Sequence, residues 1–211
     1  METKGDCPET LKTKGQDMKI ILGSASPRRK DLLKEIFNEF EIIPSNFDED
    51  SIKQDKTNPG ELVETLSKCK GEEVFSRIRL EEDFTIISSD TMVFCKDKLL
   101  GKPKNKEEAF KMLKMLENNV HTVYTGLFVL IKQGEKIERI LTHSRTDVYF
   151  KKLTDEQILE YIKKENPLDQ AGSYAIQKGA KEFVDKIDGN YNTVVGLDTE
   201  KLKQILGKYV F

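Results

Sequence analysis

Two adjacent arginines, Arg28 and Arg29, follow Pro27 where the apolar run Ile20-Ile21-Leu22 gives way to Gly23-Ser24-Ala25-Ser26. A strand that ends in small residues lets backbone approach a ligand. Proline suits the first helical turn, whose orphan N–H groups and positive dipole end favour an anion. Two guanidinium forks at that point suit phosphate. The same residues also describe an ordinary strand-to-helix turn with a solvated basic pair. Asp90 raises a second question, because Ser88-Ser89-Asp90-Thr91 interrupts two apolar stretches, Phe84–Ile87 and Met92–Cys95. One explanation is a bulge or bend with the carboxylate bonded to backbone N–H groups. The other is a carboxylate held on a rigid strand end, ready for acid–base or metal chemistry.

The surrounding patterns supply the elements that must position these groups. Lys19 to Gly23 has the character of a short buried strand, and Leu32, Leu33, Ile36, Phe37 and Phe40 then recur at helical spacing. Glu41 to Pro44 suggests a second strand, followed by an acidic turn, Asn46 to Asp50, of the kind that is usually solvated surface. A helix beginning at Pro59 turns Leu62, Val63, Leu66, Cys69 and Val74 inward and places Lys70 at the edge of that face. Gly101-Lys102-Pro103 leads into a helix from Asn105 to Glu117, and Lys102 by itself has the look of a surface residue. Val120–Ile131 and Ile137–Phe150 form a predicted antiparallel hairpin, with a bulge expected at Thr125-Gly126. Thr154 and Gln157 carry a capping-box pattern, and Pro167 stops the helix that follows. Asp169 to Gln177 is small and polar, as a site-lining loop would be; a last strand near Phe183–Ile187 and a helix from Thr199 to Leu206 close the chain.

Bulk properties narrow the function classes. The 211 residues carry 35 Lys and Arg against 37 Asp and Glu, a net charge of −2, so no overall basic field draws the chain to nucleic acid. Any anion site must be a local concentration of charge, and small partners are expected. Cys7, Cys69 and Cys95 are odd in number and lack metal-ligand spacing, which argues for free thiols in a reducing compartment. His121 and His143 form no histidine cluster, so hydrolytic chemistry would rest on carboxylates and a hard cation. No apolar run approaches a membrane span. Residues 1–18 are expected to be a disordered tail, and residues 19–211 one compact domain.

The ordered set SASPRR, SSDTMV, GKPKNKEEAFKML, HTVYTG, LDQAGSYAIQ and GNYNTVVGLD resembles the Maf family of nucleoside triphosphate pyrophosphatases. The resemblance implies an α/β fold like that of the inosine triphosphate pyrophosphatases: an elongated mixed β-sheet with flanking helices and a central cleft between two lobes. It further implies a cytoplasmic enzyme, often a homodimer, that uses magnesium or manganese. Carried over residue by residue, Asp90 matches the family's proposed proton acceptor, and Ser24, Arg28, Arg29, Glu49, Lys70 and Lys102 match its polar cleft residues. Cleaving between the α and β phosphates requires a directed water, neutralisation of a highly charged ligand and stabilisation of departing pyrophosphate. In that scheme Asp90 and Glu49 supply the base and hold the cation, while Arg28, Arg29, Lys70 and Lys102 cover the negative charge.

Within the family, the branch that this chain resembles acts on dTTP and UTP, with selectivity positions matching Arg28, Thr91 and Gln177. A glutamine amide can answer the adjacent imide N–H and carbonyl of uracil or thymine. The expected reaction is therefore hydrolysis of dTTP, UTP or a modified pyrimidine triphosphate to monophosphate and pyrophosphate, a house-cleaning of the nucleotide pool. The alternative is a nucleotide-binding regulator of cell division or septum formation without significant turnover. Gln170, Lys178 and Asp198 depart from the family's usual lysine, glycine and proline, and Ser89 replaces a typical alanine or glycine. The missing lysine at position 170 bears on phosphate affinity more than on fold.

Overall fold

A seven-stranded mixed sheet organises the computed structural model, which describes residues 18–52 and 58–209. Strand β1 (Lys19–Leu22) is apolar from Ile20 to Leu22 because both of its faces are covered there. It pairs in parallel with β2 (Glu41–Ile42) on one side and with β3 (Phe84–Cys95) on the other. The long β3 runs on past the end of β1 and is paired antiparallel, from Phe84 to Phe94, with β5 (Val120–Gln133). The short β4 (Lys98–Leu100) folds back along the last residues of β3 through Lys96 and Asp97, both at positive φ, as a two-residue hairpin turn requires. Strands β6 (Lys136–Phe150) and β7 (Val184–Asp188) complete the order β2-β1-β3-β5-β6-β7.

One face of this sheet is covered by α2 (Pro59–Arg77), capped by the Asn58 side chain. The approach is close enough to demand glycine at the contact. A Cβ on Gly126 would lie 2.1 Å from the Val63 carbonyl oxygen, and one on Gly71 would lie 2.3 Å from the Phe128 ring. Residues of β3 alternate between faces. Phe84, Ile86 and Met92 pack with α2 residues, whereas Ile87, Val93 and Cys95 join the larger core on the opposite face. That core is built from α1 (Pro27–Lys34), α3 (Lys106–Leu116), α4 (Asp155–Glu165) and α6 (Thr199–Leu206), with α5 (Tyr191–Val195) beside β5 and β6.

Several expectations need correction. The β3–β5 register is unbroken from Phe84 to Phe94, so Ser88–Thr91 is neither bulge nor bend, and Thr125-Gly126 is not a bulge either. Gly126 serves close helix–sheet approach instead. Helix α1 stops at Lys34, and Ile36 and Phe37 reach the core from a tight turn whose N–H groups bond back to Leu33, because the chain must return to lay β2 beside β1. The second strand is only Glu41–Ile42. The capping box at Thr154 and Gln157 forms as the pattern indicates. The expected disordered tail lies outside the described residues except for Met18, which packs against the core. Among the described residues, no helix is long and apolar enough to cross a membrane.

Candidate active site

The end of β1 creates the cleft. Strand β1 covers the edge of β3 only as far as Ile87, and β4 covers it again only from Val93, so the edge from Ser88 to Met92 faces a gap. Chain entering from Gly23 to Arg29 and the loop from Asp169 to Gln177 wall this gap into a cavity of about 350 Å³. All the residues singled out from the sequence line it: Ser24, Arg28 and Arg29 from the chain after β1, Glu49 from the turn after β2, Lys70 from α2, Asp90 and Thr91 from β3, and Lys102 and Gln177 from the far wall. Because neighbours on a strand point to opposite faces, Asp90 and Thr91 lead to two different sets of partners around one strand edge.

On the α2 side, the Lys70 ammonium lies 2.5 Å from Asp90 Oδ1 and 2.8 Å from Glu49 Oε1. Lys70 and Asp90 are largely buried, whereas Glu49 is half exposed at the cleft mouth. Burial pushes the Glu49 carboxyl up, but the Lys70 ammonium, helped by Lys102 and Arg29, outweighs it and holds the group below its ordinary value. The other oxygen of Asp90, Oδ2, is buried and has no hydrogen-bond partner among the described residues. A buried carboxylate oxygen without a partner is costly, and it is the kind of exception that marks a place for a ligand, an ion or a water.

On the opposite side, Arg29 donates from Nε to the Gly196 carbonyl at 2.8 Å, from Nη1 to Ser24 Oγ at 3.3 Å and from Nη2 to Thr91 Oγ1 at 3.0 Å. Burial pulls this guanidinium below its ordinary value, opposed by the Asp90 carboxylate. A guanidinium has five N–H donors, so two are left for a ligand. Thr91 is itself fixed by Thr125, whose hydroxyl donates to the Thr193 carbonyl. Arg28 and Lys102 are tied more loosely, the first to the Asp169 carbonyl at 3.4 Å and the second to the Asp169 carboxylate at 3.2 Å on an exposed surface. Gln177 is exposed at the cleft wall.

Gly196 was not legible as a site residue, since its partners Arg29 and Ser89 are more than a hundred positions away in the chain, and Asp169, although it opens the stretch expected to line a site, gave no local sign of its pairing with Arg28 and Lys102. Gln170 is buried and accepts from the Tyr161 hydroxyl, so it has a structural use in place of the family's lysine. Asp198 caps α6 and accepts from Ser144, which accounts for a carboxylate there.

The donor set fits a hard cation in one particular way. Among the described residues, no group of three or more His, Cys, Asp or Glu side chains is arranged to hold a metal. Two carboxylates, one with a free buried oxygen, suit magnesium or manganese, which keep several waters and are commonly held by one or two carboxylates together with substrate phosphates.

A family model described as Maf-like protein matches residues 19–209. Curated relatives named dTTP/UTP pyrophosphatase agree in length. The one from Caldicellulosiruptor bescii is 44% identical over 191 residues, covering 90% of this chain and 94% of its own. That from Alkaliphilus metalliredigens is 44% identical over 191 residues, covering 90% of this chain and 96% of its own. That from Clostridium novyi is 45% identical over the same length, covering 90% of this chain and 97% of its own.

Proposed function

The chain belongs to the Maf family, and from that premise we propose that its cleft hydrolyses dTTP and UTP to the monophosphate and pyrophosphate, clearing unwanted pyrimidine triphosphates from the nucleotide pool. The observation that carries this reading is Asp90, whose Oδ2 is buried and unpartnered among the described residues, lining a cleft with four cationic side chains. Lys70 engages the other oxygen and so orients the carboxylate, leaving Oδ2 to accept the proton of the attacking water.

Arg29, held by three of its donors, presents the remaining two to phosphate oxygens, and its fixed fork costs little further ordering when the ligand arrives. Lys102 and Arg28, being loosely tied, can exchange Asp169 for phosphate. Asp90 and Glu49 would hold a magnesium or manganese ion, which when bound would supply Lewis-acid stabilisation of phosphate charge. Gln177 at the wall is placed to answer the imide edge of uracil or thymine, with Arg28 and Thr91 shaping preference. Tolerance of the thymine methyl group is expected, because one methyl is worth only about 1–3 kcal/mol in discrimination.

The test is release of pyrophosphate from dTTP, UTP, CTP and 5-substituted uridine triphosphates in the presence of magnesium or manganese, with Asp90→Asn in parallel. Pyrophosphate from dTTP and UTP, lost in the variant, supports the reading. Orthophosphate as the product, or equal activity in the variant, would overturn it.

A further inference from the structure

We propose that Ser89 is a positioning residue that sets the orientation of Arg29 toward the triphosphate. The proposal rests on reading the cleft as a triphosphate site. Ser89 lies next to Asp90 on β3 but points to the opposite face, toward α5, and is buried. Its hydroxyl stands 2.7 Å from the Gly126 carbonyl and 3.0 Å from the Gly196 carbonyl. The second of these oxygens is the one that receives the Arg29 Nε hydrogen at 2.8 Å. A carbonyl has two lone pairs, so the Gly196 oxygen can accept from both serine and arginine, while the single Ser89 proton is shared between the Gly126 and Gly196 carbonyls. Nε is the donor nearest the side-chain stem, so fixing it fixes the guanidinium plane, and with it the direction of the two donors that remain for a ligand.

Gly196 makes the carbonyl's position depend on such a tether. It follows α5 at φ 125°, a conformation that side chains rarely adopt, and a Cβ there would meet Thr91 Oγ1 at 3.3 Å and Arg29 Nε at 3.5 Å. Glycine is therefore required, and glycine leaves the adjoining peptide plane free to rotate unless something holds it. The Gly196 N–H, bonded to the Asn192 carbonyl, anchors one side of the residue. The other side is held by the Leu197 N–H, which also bonds to the Asn192 carbonyl at 3.1 Å, and at the carbonyl oxygen itself by Ser89. Removing its hydroxyl keeps every phosphate-facing side chain but loosens the carbonyl on which Arg29 is seated. A buried carbonyl left with one partner is tolerated better than a buried unpaired N–H, so the effect falls on geometry more than on folding.

The experiment is a double-mutant cycle read by equilibrium binding of inorganic tripolyphosphate, with pyrophosphate release from UTP and dTTP measured alongside. Ser89→Ala is expected to weaken tripolyphosphate binding about fivefold, in keeping with loss of one hydrogen bond in a network. It should raise KM for UTP and dTTP by the same factor and move the thermal midpoint little. In the Arg29→Lys background, where the planar fork is gone, the same change should alter binding less than about twofold, because residues that act through one another are not additive. Ser89→Cys, which keeps a weaker donor of similar size, should lie between Ser89→Ala and the parent, and it replaces Ser89→Ala in the cycle if that variant does not fold. Binding unchanged by either substitution, or equal losses in the Arg29 and Arg29→Lys backgrounds, would overturn the proposal. A parent that binds tripolyphosphate with this coupling yet releases no pyrophosphate would retain the role of Ser89 and refute the proposed reaction instead.

Discussion

Gly126→Ala isolates the contact on which the site's geometry depends. Gly126 pairs with Asp90 across β5 and β3, and its missing side chain lets α2 sit on the sheet. A methyl group there would lie 2.1 Å from the Val63 carbonyl oxygen, 2.4 Å from the Val63 carbonyl carbon and 2.9 Å from the Glu64 nitrogen. All three are backbone atoms, so no flexible side chain can give way. Carbon and oxygen tolerate an approach of roughly 3.3 Å, so α2 must retreat by about 1 Å. Lys70 lies two turns further along that helix, 2.5 Å from Asp90, and a shift of that size breaks the contact. Overpacking of this kind costs about 1–3 kcal/mol, only partly offset by the 0.5–1 kcal/mol that alanine gains over glycine in a strand. For a chain of this size the net loss, at most about 2.5 kcal/mol, lowers the thermal midpoint by up to roughly 10 °C. A misplacement of about 1 Å at a catalytic group can cost on the order of a hundredfold in rate. Thermal unfolding and pyrophosphate release on the same preparation measure both effects. A Gly126→Ala protein with the parent's midpoint and turnover would refute the reasoning that α2 is held at this distance by the glycine.

Lys70→Met leaves the largely buried Asp90 carboxylate without its cation and should destabilise the fold by about 3–5 kcal/mol in urea melts, with Asp90→Asn added to it recovering much of that loss. His121 is buried against Tyr174 and Phe150, and burial pushes it down to about 3 against an ordinary value of 6.5, with Asp147 opposing. The unfolded chain then binds more protons than the native one below pH 6.5. Stability should therefore fall with falling pH across the window from 6.5 to about 3, by about 2 kcal/mol between pH 7 and pH 5, and the slope should flatten in His121→Phe. Arg29→Ala should abolish turnover of every nucleotide, whereas Arg28→Ala should change the ratio of rates among UTP, dTTP and CTP; identical effects in a nucleotide panel would refute the division of roles.

Much of this was legible in the sequence because buried faces leave periodic traces. The apolar stripes of α3, α4 and α6 and the apolar run Leu127–Ile131 of β5 locate those elements, and Asp90 stands out as a charge inside an apolar run. The reason for that interruption was not legible. It lies in where β1 stops beside β3, a property of pairing between distant segments. Glycine in a strand signals either a bulge or a close approach, and only packing against α2 decides between them at Gly126. Helix α5, five residues long, is too short to show a period, so the seat of Arg29 on Gly196 had no local signal. Glu49 lies in an acidic stretch that by itself describes solvated surface, and it becomes a site residue through Lys70, which the fold brings beside it.

In the proposed reaction, water attacks the α phosphorus of a pyrimidine triphosphate bound in this cleft, with Asp90 taking the proton. Turnover of UTP in ¹⁸O-labelled water, read by mass spectrometry of both products, tests it most directly. Attack at the α phosphorus places one ¹⁸O atom in the uridine monophosphate and none in the pyrophosphate. Label in the pyrophosphate, or labelled orthophosphate as the product, would contradict it.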